Sequence, residues 1–150
     1  MDSLKAQQVV LGAENKWINP VEQGTITDYF GYRENPILKK EEFHNGLDIG
    51  AEENSPVYAV KSGVVIDVGN SETYGIYIKY KTYDGYEIMY AHLNEALVKK
   101  YDKIEHSQKV GLIGNTGLST GAHLHYTIVK DGEYLNPIDF VALPKASYLE

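Results

Sequence analysis

The chain has 150 residues with 21 acidic and 14 basic side chains, a formal charge of −7, and so lacks the dense basic face that nucleic-acid binding requires. It has no cysteine, which excludes disulfides, thiolate metal sites and thiol nucleophiles. An apolar content of 43% at this length suffices for one soluble domain with a real core.

The first segment, "MDSLKAQQVVLGAENKW", holds only a short apolar run around Val9 to Leu11, too short for a signal core or a membrane span. No membrane contact is expected within the chain. Either the protein works in the cytoplasm or an export segment has been removed. Residues 1–18 read as a polar lead-in, partly helical. "VYAVKSGVVIDVG" (57–69) reads as two alternating runs around Lys61-Ser62-Gly63, a hairpin signal. In "GIYIKYKTYDGYEIMYAHL" (75–93), Ile76, Ile78 and Tyr80 alternate with Tyr77 and Lys79, and Asp84-Gly85 suits a tight primed turn. Only "NEALVKKYD" (94–102) offers a helical turn or two. "KVGLIG" (109–114) and "HLHYTIVKDGEYL" (123–135) are further strands, the second with a turn at Asp131-Gly132. Short strands, Asp-Gly turns and no alternating long helices predict an all-β fold, a mainly antiparallel two-sheet β domain with short helical or loop connections. It is expected to span 19–143, with 144–150 a tail. The closing Leu-Glu looks like a cloning remnant on a piece of a longer protein.

Four of the five histidines fall in three Gly-rich or strand-end segments. "FHNGLDIGA" (43–51) carries His44 and Asp48, "MYAHLN" (89–94) carries His92, and "GAHLHY" (121–126) carries His123 and His125. Side chains two apart on a strand share a face, so His123 and His125 point together. Imidazole nitrogen and aspartate oxygen are proper zinc ligands, and catalytic zinc sites commonly use three protein ligands. His44, Asp48 and one histidine of the pair make such a set. The other member and His92 are then left for acid–base work, which suits a group with an ordinary pKa of roughly 6.5. The fifth histidine, His106 in "KIEHSQK", reads as a solvated surface residue.

In order and in flanks these segments resemble the lysostaphin/LytM-type zinc metallopeptidases, metallopeptidase family twenty-three. Its signature is His-x-x-x-Asp, a Tyr-x-His-Leu-like strand, and His-x-His after a Gly-rich loop. Here these are "FHNGLDIGA", "YAHL" and "GNTGLSTGAHLHY", and the upstream "FGYRENP" (30–36) resembles the family's entry to the first ligand loop. The likeness runs from about Asn19 to about Phe140. It implies that His44, Asp48 and His125 hold one zinc ion per chain and that His92 and His123 are the catalytic pair. It also implies a substrate, the peptide of bacterial peptidoglycan, and a reaction, zinc-assisted hydrolysis of an amide in its cross-links or stems. A substrate of that kind places the domain outside the cytoplasmic membrane, in the periplasm, cell envelope or at the cell surface. Two departures stand out. Tyr101 and Ser107 replace glycines usual in the hairpin after the Tyr-x-His-Leu strand. No tyrosine falls into the place of one that assists the oxyanion, for which Tyr32 and Tyr90 are candidates.

Two rival readings arise. "GLSTG" (117–121) fits Gly-x-Ser-x-Gly, but a nucleophile elbow needs a strand before its serine and a helix after it, and no histidine follows His125. The glycines are better read as a flexible wall of a substrate groove. The second rival keeps the fold without the chemistry: a scaffold or regulatory module with a protein partner in a cell-envelope complex.

Overall fold

A computed structural model describes residues 16–34 and 41–149. The lead-in expected over 1–18 therefore lies largely outside the described residues. Among the described residues, thirteen strands and one short 3-10 helix, Pro137–Phe140, follow one another. The main sheet has the order β1 (Thr25–Asp28), β4 (Leu47–Gly50), β12 (His123–Lys130), β8 (Tyr86–Leu93), β7 (Gly75–Thr82), β6 (Gly63–Ser71), β10 (Lys103–Ile104), with β13 (Glu133–Leu135) beside β12. A second sheet of three strands joins β5 (Pro56–Tyr58), β11 (Lys109–Leu112) and β9 (Glu95–Ala96). β2 (Gly31–Glu34) and β3 (Glu41–His44) form a separate ribbon. All strand pairs are antiparallel. The all-β expectation is met. No described helix is long and apolar enough to cross a membrane.

Period-two alternation puts one face of the main sheet into the core. Ile78, Tyr80, Ile88, Tyr90, Leu124, Tyr126 and Ile128 are fully buried together with Val57 and Val110 of the second sheet. Both ends of the described part are tied to this body. Trp17 packs edge-on against Tyr86 and at a tilt against Phe140. Residues 144–146, at the start of the segment read as a tail, run beside β1, with Ile26 N donating to Pro144 O and Ala146 N to Ile26 O, both at 2.8 Å.

Several local expectations change. The runs around Lys61-Ser62-Gly63 do not form a hairpin, because β5 pairs with β11 and β6 pairs with β7 and β10. Ala59, Val60 and Lys61 are all buried, so the chain crosses here from one sheet to the other. Lys61 is 5% exposed; its ammonium pairs with Asp84 and lies over the rings of Trp17 and Tyr86. That pairing also shapes the β7–β8 turn. Tyr86 N donates to Thr82 Oγ1, which donates to Asp84 Oδ1, and only Gly85 takes a positive φ, so the turn is not primed. At Asp131-Gly132, where a turn is expected, both residues have positive φ (51° and 80°), which makes it a two-residue primed turn. Residues 94–102 hold β9 and turns rather than helix.

Tyr101 and Ser107 both take the left-handed conformation, with φ of 77° and 69°. Glycine adopts that region at no steric cost. Both side chains are exposed. Tyr101→Gly and Ser107→Gly are each expected to stabilise the fold by about 0.5–1 kcal/mol, a rise of roughly 1–4 °C in melting temperature. Thermal melts of the metal-free variants check this.

The buried tyrosines differ in their bonding. Tyr90 donates its hydroxyl to Tyr58 O at 2.9 Å and accepts from Val60 N at 3.1 Å, whereas Tyr126 Oη has no partner among the described residues. A buried hydroxyl left unpaired costs about 1–3 kcal/mol. Tyr126→Phe is therefore expected to leave stability unchanged or raise it, while Tyr90→Phe lowers it by about 1–2 kcal/mol, as read by denaturant unfolding.

Candidate metal centre

The site lies on the face of the main sheet opposite the core. β4 and β12 pair with His125 opposite Asp48, which brings the two chain-distant segments within bonding range. The third element is the end of β3, where His44 precedes the turn Asn45-Gly46 into β4. Gly46 is required by close packing: a Cβ there would stand 2.5 Å from Tyr126 O and 2.9 Å from His125 Cε1. Gly46→Ala must push β4 off β12 and is expected to cost about 1–3 kcal/mol, visible in the melting temperature.

His92 reaches the site by a bulge. On β8, Ala91 pairs with His125 and Tyr90 points into the core, so strict alternation sends His92 coreward. The β7–β8 register slips by one residue between Ile76 and Ile78, and His92 takes a left-handed φ of 64° with its amide on Tyr74 O at 2.7 Å. A bulge of this kind re-aims a side chain. The His92 ring lies 4.8 Å from that of His123 and 6.1 Å from that of His125, centre to centre.

Asp48 Oδ1 is the hub. His125 Nδ1 lies 2.9 Å from it, His44 Nε2 3.3 Å and His123 Nε2 4.0 Å. The far nitrogen of each ring is held by an oxygen. His44 Nδ1 meets Tyr29 O at 2.7 Å, His92 Nδ1 meets Thr116 O at 2.7 Å, and His123 Nδ1 meets Gly121 O at 2.8 Å. A carbonyl only accepts, so each Nδ1 carries the proton and each Nε2 presents a lone pair. His125 is reversed: its Nε2 meets Asn45 Oδ1 at 2.9 Å and its Nδ1 faces the hub. Lone pairs of His44 and His125 thus converge on a carboxylate oxygen. A cation between them satisfies all three donors, and the three ligand atoms lie within 4.8 Å of one another. Two imidazoles and one carboxylate fit zinc.

Burial acts to raise the Asp48 pKa, but in the metal-free protein the hydrogen bonds and charge that the His125 and His44 rings supply in their cationic form outweigh it and hold the carboxyl well below the ordinary carboxylate range. Burial lowers the His92 pKa from 6.5, an effect the Thr116 carbonyl partly offsets, so its imidazole stays neutral near pH 7.

The structure thus brings together His44, Asp48, His92, His123 and His125, all named from sequence. His106 sits in the β10–β11 turn with its amide on Ser62 Oγ, and shares none of these contacts. Ser119 Oγ lies 3.0 Å from His123 Nδ1. That nitrogen carries its proton for Gly121 O, so it cannot deprotonate the serine, and Ser119 itself donates to Gly121 O at 2.9 Å. Neither tyrosine named from sequence serves the site: Tyr90 is buried on the core side, and Tyr32, 74% exposed, packs on Phe43. A tyrosine that does reach it is Tyr74, stacked on His125 at 5.8 Å. Its position next to Gly75 gave no spacing signal. The Gly-rich loop is a wall pinned at Gly117, where a Cβ would stand 2.3 Å from Gly75 N.

Comparison with known proteins accords with this geometry. The chain is 37% identical over 127 residues to the DD-carboxypeptidase/endopeptidase Mpg of Neisseria meningitidis, covering 85% of this chain and 29% of that protein. It is 37% identical over 115 residues to the peptidoglycan DD-endopeptidase ShyA of Vibrio cholerae, covering 77% and 26%. The chain spans less than a third of the length of these relatives. A crystal structure of a zinc-containing peptidase from Vibrio cholerae superposes with a TM-score of 0.76 at 29% identity, over 87% of this chain and 41% of that one. The profile of peptidase family M23 matches residues 42–137, most of the chain and every residue of the metal centre, and the chain belongs to that family.

Proposed function

We propose that the chain is a zinc endopeptidase that hydrolyses peptide bonds in the cross-links or stems of bacterial peptidoglycan, acting outside the cytoplasmic membrane. His44 Nε2, Asp48 Oδ1 and His125 Nδ1 are the zinc ligands, and His92 and His123 are the catalytic pair. The observation that carries this reading is the convergence of histidine lone pairs on the Asp48 carboxylate, each fixed by an oxygen on the far side of its ring. The likeness to the peptidoglycan DD-endopeptidase ShyA supports the substrate class. Presence of all five residues in one constellation favours chemistry over a purely scaffolding role.

Zinc bound there supplies Lewis-acid polarisation of a carbonyl and acidification of water. The chain's own groups do the rest. His92 and His123 each turn Nε2 to the site with Nδ1 held by a carbonyl, so one Nε2 accepts a proton from the attacking water. Once protonated, that Nε2–H is a donor to the oxyanion or to the leaving amine nitrogen. The Thr116 and Gly121 carbonyls hold the opposite N–H throughout and prevent the rings from turning.

The test is digestion of purified peptidoglycan from several wall chemistries by the zinc-loaded protein, with released fragments identified by mass spectrometry. Cleaved stems or cross-links that vanish with His123→Ala are expected. No release from any wall type by a protein with zinc bound would overturn the reading.

A further inference from the structure

His125 differs from the other three site histidines. Their outer nitrogens rest on backbone carbonyls, whereas its outer nitrogen rests on a side chain, Asn45 Oδ1 at 2.9 Å. It is also reversed, presenting Nδ1 rather than Nε2 to Asp48. A backbone carbonyl can only accept, but a side-chain amide can accept or donate, so the tautomer of His125 depends on which way the Asn45 amide faces.

Two contacts accompany the arrangement seen. The Asn45 Nδ2 donates to Tyr74 Oη at 3.5 Å while its Oδ1 faces His125 Nε2. The Tyr74 ring lies nearly parallel to the imidazole, 20° between planes, and limits its rotation. With Oδ1 accepting from Nε2–H, the lone pair of neutral His125 is confined to Nδ1, the atom beside Asp48 Oδ1. The opposite amide orientation would donate to Nε2 and place the ring proton on Nδ1, where it blocks an ion. Asn45 occurs between two residues of the motif, His44 and Gly46, with no spacing that marks it.

We propose that Asn45, held by Tyr74, is a positioning residue that fixes the tautomer of His125 and so sets the zinc affinity of the centre. This rests on the reading of His125 as a zinc ligand. An outer partner of a metal-bound histidine is worth roughly 10–100-fold in metal affinity, and a carboxylate in that place raises ligand basicity.

The test is the zinc dissociation constant of the whole chain, measured by competition with a chromophoric chelator, beside the melting temperature of the metal-free protein. Asn45→Ala is expected to weaken zinc binding about 10–100-fold with little change in metal-free melting. Asn45→Asp, which can only accept, is expected to bind at least as tightly as wild type. Tyr74→Phe, which loses the acceptor for Asn45 Nδ2, is expected to fall between wild type and Asn45→Ala. Equal affinity of wild type and Asn45→Ala would overturn the inference and leave the zinc site standing. So would an Asn45→Asp protein as weak as Asn45→Ala. A wild type that binds no zinc would overturn the ligand reading and this inference together.

Discussion

Asp48→Ala is expected to abolish zinc binding and hydrolysis together. Asp48 Oδ1 lies 2.9 Å from His125 Nδ1 and 3.3 Å from His44 Nε2, so one atom joins the two imidazoles of the centre. Removing it takes away the sole negative charge in the ligand set. Losing only an outer partner of a ligand costs about 10–100-fold in affinity, so loss of a ligand should exceed about 100-fold. Chelator competition measures the affinity, and elemental analysis counts zinc per chain. Metal-free Asp48→Ala should still fold, because the core lies on the other face of the sheet. A variant that keeps one zinc at wild-type affinity would exclude Asp48 as a ligand.

The second large effect separates chemistry from metal binding. His92→Ala and His123→Ala are each expected to lower kcat/KM by about 10²–10⁴ while zinc stays bound within a few-fold of wild type. Neither ring belongs to the three-atom ligand group, and each has its Nδ1 tied to a carbonyl. Activity should also fall in acid as the His92 Nε2 lone pair is protonated. His92 adds a stability effect of the same sign in the metal-free protein. Its folded pKa lies below the ordinary 6.5, so the unfolded chain takes up the proton first as pH drops. Its contribution to stability is whole above pH 6.5 and is lost as pH falls through the folded value. His92→Gln should flatten that slope in melts taken between pH 7.5 and 5. Parallel loss of zinc and activity in both alanine variants would instead make these histidines ligands.

The constellation was legible because its chemistry is written in residue type and short spacing. His-x-His on a strand shares a face, and His123 and His125 do. The turn at Asp131-Gly132 was equally legible, though not its primed type, and Tyr101 and Ser107 stood out as departures from glycine without showing that both keep the left-handed backbone. What escaped the sequence depended on long-range packing. Lys61 reads as a polar turn residue, yet its pairing with Asp84 and two aromatic rings buries it and carries the chain between sheets. His92 lies at the wrong parity for the site, and only the bulge in β8 corrects it. Asn45 and Tyr74 carry no motif, and their role follows from the turn that sets β4 against β12 and from the β6–β7 connection folding over His125.

The most direct measurement is the turnover of a purified cross-linked muropeptide dimer against zinc bound per chain, starting from chelated protein. Hydrolysis should be absent without metal, rise in proportion to zinc and level off at one ion per chain, with Asp48→Ala flat throughout. Hydrolysis that persists after chelation, or none when one zinc is bound, would contradict the zinc-peptidase account.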